Sequence, residues 1–165
     1  MPYRERVTID LPPSPANSPE SVESLARTLR RLEDAHRRYR VHAARVVGIG
    51  VTELSALTTV SDAPGMTPGD LGRDLVLTSG AVTAVVDRLE RADLVYRAAD
   101  PEDRRVRRLH LTDKGTATMQ NLDEAYRYVL STTGSDDAIT RALPQLDSIT
   151  EALDQAGSDG GLLGR

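Results

Sequence analysis

From residue 18 onward, the apolar positions recur at helical spacing. Val22, Leu25, Leu29, Leu32, His36 and Tyr39 follow one another at intervals of three and four, which aligns them as a heptad-like seam along one helix face. The spacing predicts a helix over 18–47. Ser18 is its candidate N-cap, Pro19 takes the first turn, and Gly48 and Gly50 stop it. A helix this long outruns the core of a small protein. Val22, Leu25, Leu29 and Leu32 are therefore expected to be covered by a second copy of the chain.

Shorter elements follow. Thr52 is placed to cap a helix to about Val60, with Leu54, Leu57 and Val60 on one face, and Asp62-Ala63-Pro64-Gly65 reads as a turn. Thr67-Pro68-Gly69-Asp70 has the form of a capping box with proline at N1 and predicts about two helical turns ending near Asp74. Thr78 caps a further helix from Ser79, with Val82, Val85, Val86 and Leu89 facing inward.

The pattern changes after Leu94. Leu94–Ala98 and Val106–Leu111 read as strands around a turn at Asp100-Pro101-Glu102-Asp103. Thr112 then caps a helix to about Thr132, with Leu122, Ala125 and Val129 as inward candidates. Gly134 and Ser135 break it, and 136–156 is helical again, with Pro144 expected to kink or split it. Residues 1–17, with Pro2, Pro12, Pro13 and Pro15, read as an extended arm, and 157–165 as a frayed tail. The expected fold is mostly α with a small β-hairpin, in a single domain over 18–156.

Composition narrows the picture in two ways. With no Cys, Trp or Phe in 165 residues, the core must be aliphatic. Disulfides and thiolate metal sites are excluded, and a reducing cytoplasm is the expected compartment. No run is long and apolar enough to span a membrane. The net charge of −4 argues weakly against a nucleic-acid partner, but its distribution reverses that. Basic residues dominate the first fifty positions, acids dominate beyond 111, and Arg104, Arg105, Arg107 and Arg108 cluster at the hairpin. A nucleic-acid-binding face needs local positive potential, not a basic protein.

No catalytic constellation stands out, so an enzyme is not expected. Ser79-Gly80 sits in a helix cap rather than a strand-to-helix elbow, and there is no phosphate-binding or dinucleotide loop. His36 and His42, six apart, do not share a helix face, and His110 lies on the hairpin, so neither metal nor cofactor is expected. Tyr39 and His42 are candidates for lining a ligand cavity between helices, against plain core or dimer packing.

Two short helices, a tight turn and a basic-edged hairpin make a device suited to duplex DNA. The second of these helices has a small-residue outer start at Thr78, Ser79, Gly80, Thr83 and Ala84. It could therefore sink deep into a major groove and present backbone N–H groups to phosphate. Arg104 and Arg105 at the hairpin tip can reach a neighbouring minor groove. Arg88 is counted with the DNA-binding set, the alternative being an ion pair with an acid such as Asp87; Arg73, near Asp74, is equally divided. Taken alone, the arginine cluster reads better as a charged strand edge that resists aggregation; following a helix-turn-helix pattern, it reads as a DNA contact.

The segment from Leu71 to Gly115 resembles the MarR family of winged helix-turn-helix regulators. Asp103, Arg105, Leu111 and Thr112 fall in register with that family's wing signature, and Thr78–Glu90 is similar to its recognition helix. The resemblance covers roughly residues 20–156. It implies a DNA-binding part over 52–111 and dimerisation helices over 18–47 and 112–156. It further implies a homodimer on a pseudo-palindromic operator, usually repressing transcription and often released by a small aromatic or phenolic effector. By that resemblance Thr78, Ser79, Gly80 and Thr83 lie at the major groove, Arg105 enters the minor groove, and Asp103 holds the wing. The rival reading is a winged-helix module for protein–protein contact. Three departures stand out. Ala84 replaces a commonly larger polar residue. Asp93 replaces a commonly occurring glycine, so the geometry of that helix end is expected to differ. Pro144 lies inside the last helix.

Overall fold

The computed structural model describes residues 18–158; the expected N-terminal arm and most of the expected tail lie outside them. The elements run α1 (Pro19–Val47), α2 (Val51–Asp62), α3 (Pro68–Asp74), α4 (Ser79–Arg91), β1 (Val95–Ala99), β2 (Arg107–Leu111), α5 (Asp113–Ser131) and α6 (Asp136–Ser158). Among the described residues, 28–129 form one compact unit, and 18–27 with 130–158 form another.

The core lies in the larger unit. Leu57 and Val60 of α2, Leu71 of α3, Val86 and Leu89 of α4, Leu94, Val95 of β1 and Leu109 of β2 are fully buried. Each such side chain contributes roughly 1.5–3 kcal/mol of burial, so an aliphatic set supports the unit without a large aromatic. The antiparallel hairpin has the register Val95↔Leu111 to Ala99↔Arg107. It places Val95 and Leu109 in the core while Tyr96 and His110 stack outside, ring centroids 5.5 Å apart. The α2–α3 loop joins the hairpin edge, the Gly65 N–H donating to the Leu109 carbonyl (2.9 Å) and the Leu109 N–H to the Met66 carbonyl (2.9 Å).

Several expectations are corrected. Helix α2 is capped at Gly50 without a side-chain bond, not at Thr52. A Cβ at position 50 would lie 2.1 Å from Glu53 Oε2, so glycine lets the Glu53 carboxylate fold back over the helix start. On α5 the buried positions are Gly115 and Met119, with Leu122 half-buried, whereas Ala125 and Val129 are exposed. Of the two outcomes expected at Pro144, the split does not occur: α6 runs as one helix from Asp136 to Ser158. Proline removes only one main-chain donor from a helix.

Asp93 adopts the left-handed conformation after all, with φ 58°. The Asp93 N–H donates to the Glu90 carbonyl (2.9 Å) and the Leu94 N–H to the Leu89 carbonyl (3.0 Å), which is a Schellman close to α4. Buried Leu89 and Leu94 supply its apolar contact. The bonds and that contact hold the geometry, and Asp93 carries the strain. Asp93→Gly is expected to raise stability by roughly 0.5–1 kcal/mol, read as a later urea midpoint with an unchanged slope. No single helix among the described residues is long and apolar enough to cross a membrane.

Candidate nucleic-acid interface

The helix pair α3–α4 is set by local chemistry at its ends. Thr67 accepts from the Asp70 N–H (3.2 Å) while the Asp70 carboxylate accepts from the Thr67 N–H (2.9 Å), closing the expected capping box. The Thr67 hydroxyl also donates to the Asp70 carboxylate (2.7 Å); that bond first, then the Thr67 N–H and then Arg73 hold the Asp70 carboxyl below its ordinary pKa. Arg73 therefore pairs with Asp70 rather than Asp74. After the turn, the Thr78 hydroxyl accepts from the Ala81 N–H (3.3 Å) and starts α4.

Buried Val82, Val85, Val86 and Leu89 pin one face of α4, which leaves Thr78, Ser79, Gly80 and Thr83 exposed on the other. The Thr83 hydroxyl donates to the Ser79 carbonyl (3.0 Å). Arg88 bonds the buried carboxylate of Glu53, tying α4 to α2. Its acid partner is thus neither absent nor the neighbouring Asp87. Arg97 of β1 bonds Asp87 (2.8 Å) and Glu90, fastening the hairpin to the outer side of α4.

The turn between β1 and β2 is organised by Asp100, which the sequence pattern placed at the head of this turn but to which it gave no role beyond that. Its carboxylate is buried, accepts from the Glu102 N–H (2.7 Å) and the Asp103 N–H (3.3 Å), and pairs with Arg108. These bonds, the Glu102 N–H first, hold its carboxyl below the ordinary range. Arg108 also donates to the Gly65 carbonyl (2.9 Å), so it anchors the wing to the α2–α3 loop. Asp103 accepts from the Arg105 N–H (2.9 Å) and from its guanidinium (3.1 Å), and that side-chain bond is the main reason its own pKa is lowered. Arg104 and Arg105 remain at the tip, the Arg105 side chain 91% exposed.

A bracket from α5 closes the far end of α4. Lys114 Nζ donates to the Ala92 carbonyl (2.7 Å), Thr112 Oγ1 donates to the Asp93 carbonyl (2.7 Å), and the Thr112 N–H donates to the Leu94 carbonyl (3.1 Å).

Also within the 28–129 unit lies a cavity of about 440 Å³, walled by His36, Tyr39, Arg40, Met119 and Tyr126. Tyr126 stacks on His36 (5.7 Å) and tilts against Tyr39 (5.4 Å). Tyr39 is where the sequence reading put it; His42 is exposed and does not line the cavity, and His36 does. Among the described residues no cluster of three potential ligands is arranged to hold a metal.

A profile of the MarR family matches residues 49–106, the stretch from α2 to the wing tip. An uncharacterised HTH-type transcriptional regulator of Bacillus subtilis, YkoM, is 32% identical over 107 residues, covering 65% of this chain and 68% of YkoM. The chain belongs to the MarR family. Two further B. subtilis relatives match over shorter parts. The HTH-type transcriptional regulator MhqR is 32% identical over 98 residues, 59% of this chain and 65% of MhqR. The uncharacterised regulator YcgE is 46% identical over 63 residues, 38% of this chain and 41% of YcgE. The match to YcgE thus spans less than half of that protein, and the match to MhqR just under two thirds. Among solved structures, Streptococcus pneumoniae FabT in complex with DNA superposes with a TM-score of 0.64 at 24% identity, covering 80% of this chain and 99% of FabT. Apo MarR of Escherichia coli gives 0.60 at 22%, covering 76% and 96%. The fold is the MarR winged helix.

Proposed function

We propose that this MarR-family protein is a sequence-specific DNA-binding transcriptional repressor. It acts as a homodimer on a pseudo-palindromic operator with half-site centres about 10 base pairs apart. The observation that carries the proposal is the pairing of an exposed small-residue start on α4 with a rigidly braced wing whose tip offers Arg104 and the 91% exposed Arg105. Ser79, Gly80 and Thr83 meet the major groove, with Thr78 beside them as cap and phosphate contact. Arg105 exchanges Asp103 for the minor groove, where potential is most negative. Arg88, held by Glu53, gives the helix its seat and can add only a phosphate contact from its exposed edge. That the FabT structure contains DNA is consistent with this use of the fold.

Dimerisation is supported by the exposed apolar residues Val22 (48%), Leu25 (44%) and Leu32 (56%) on α1. The cavity walled by His36, Tyr39, Arg40 and Tyr126 suits a small aromatic or phenolic effector, with ring stacking from the aromatic groups and one guanidinium for an anionic substituent.

The test separates the two grooves. Arg105→Ala is expected to weaken binding to all duplexes and lower the salt slope by about one unit per reading head. Thr83→Ala is expected to cost roughly 1 kcal/mol on the preferred duplex and little on random DNA. Equal effects of both variants on both duplexes, with no change in salt slope, would show the groove assignment to be wrong. Absence of DNA binding by the wild type would favour a protein-contact module.

A further inference from the structure

Val76 sits in the turn between α3 and α4 with φ 53°, in the left-handed region, and is 91% exposed. Left-handed backbone is required there by the turn itself. The Leu77 N–H donates to the Gly72 carbonyl (2.8 Å) and the Val76 N–H to the Arg73 carbonyl (3.3 Å), the paired bonds of a Schellman close. Glycine meets that requirement without strain and asparagine with little. A β-branched side chain meets it worst. The isopropyl group therefore strains the backbone and gains almost no burial in return. Residues held this way concentrate where the strained group is used.

The surroundings indicate by what. Val76 is two residues ahead of the Thr78 cap; its neighbours Leu75 and Leu77 turn inward and pack partly buried against the core, while Arg73, Thr78 and Ser79 are polar and exposed. A lone apolar group among polar ones is too small a patch for a protein partner but matches the C–H surfaces that lie between phosphates in a groove wall. We propose that Val76 is a DNA contact, its isopropyl group packing on an apolar part of the operator, either a thymine methyl or a deoxyribose face. The proposal rests on the DNA-binding reading above.

The test uses the full chain and a duplex selected by the wild type from a randomised library. Val76→Gly and Val76→Asn are compared with Asp93→Gly, which relieves left-handed strain away from the proposed interface. Val76→Gly and Asp93→Gly are both expected to unfold at higher urea than the wild type. Asp93→Gly should bind the duplex as the wild type does, while both Val76 variants bind about fivefold more weakly, the scale of losing one apolar group from a contact. The asparagine variant excludes added chain flexibility as the cause. Replacing thymines singly by deoxyuridine separates the two surfaces. If a thymine methyl is the partner, one replacement weakens the wild type but not Val76→Gly. If deoxyribose is, no replacement does so, and Val76→Gly loses the same factor on unrelated DNA. The proposal is overturned if Val76→Gly is more stable with unchanged affinity, if it is not more stable, or if Asp93→Gly loses affinity equally. A wild type that retains no duplex at all refutes the underlying reading instead.

Discussion

Gly115→Ala is expected to destabilise the protein by roughly 3 kcal/mol, a severe overpacking cost for a single methyl. A Cβ at this position would lie 2.0 Å from the Leu94 carbonyl oxygen and 3.0 Å from its carbon. Both are backbone atoms, so no side chain can swing aside. The same carbonyl accepts the Thr112 N–H, while Lys114 and Thr112 bond the carbonyls of Ala92 and Asp93. Seating the methyl group therefore lifts the first turn of α5 away from the end of α4 and breaks several bonds together. Gly80→Ala is the contrast, because a Cβ there meets nothing within 4 Å. It is expected to stabilise the start of α4 by roughly 0.5 kcal/mol. Urea unfolding followed by circular dichroism reads both. A Gly115→Ala midpoint equal to that of the wild type would mean that α5 does not press on Leu94.

Leu29→Asp is expected to abolish self-association and weaken operator binding more than a hundredfold, the loss expected when two linked half-site contacts become one. Leu29 lies on the α1 seam with Val22, Leu25 and Leu32, the last of these 56% exposed. An aspartate facing a partner's apolar seam leaves an unpaired charge in the contact. The buried core of the 28–129 unit is built from α2 to β2 with Met119 of α5, so the variant should keep its far-ultraviolet spectrum. Sedimentation at micromolar concentration and binding to a selected duplex are read on one preparation. A monomeric wild type, or a monomeric variant that binds as tightly as the wild type, contradicts the dimeric reading.

What was legible in the sequence was what is written locally. The Thr67 capping box, the Thr78 cap and the Thr112 cap each join residues three positions apart, the inward face of α4 repeats at intervals of three or fewer, and each appears where its pattern placed it. The misplacements have physical causes. Glu53 and Arg88 are 35 positions apart and Asp100 and Arg108 are eight apart, so pairs decided by packing leave no trace in a local pattern. Helix α2 begins at Val51, so Thr52 falls inside its first turn and Gly50, in extended backbone, takes the cap position. β1 begins at Val95 rather than Leu94 because Leu94 is used to close α4. His36, Tyr39, Arg40 and Ala43 share the i, i+3, i+4, i+7 face that lines the cavity, and His42 falls outside that set. Asp93 shows the limit of reasoning from residue preference, since its neighbours impose the left-handed turn on a residue that merely tolerates it.

On the proposed reading, the α4 and wing surface binds duplex DNA in a sequence-dependent way. The most direct measurement is a salt titration of wild-type binding, by fluorescence anisotropy, to a library-selected duplex and to a scrambled duplex of equal length. With Arg104 and Arg105 from two reading heads at the phosphates and grooves, the logarithm of the affinity should fall linearly with the logarithm of salt, with a slope of about −4 or steeper. The selected duplex should bind about a thousandfold more tightly than the scrambled one. Equal affinity for the two duplexes, or a slope near zero, would contradict the account.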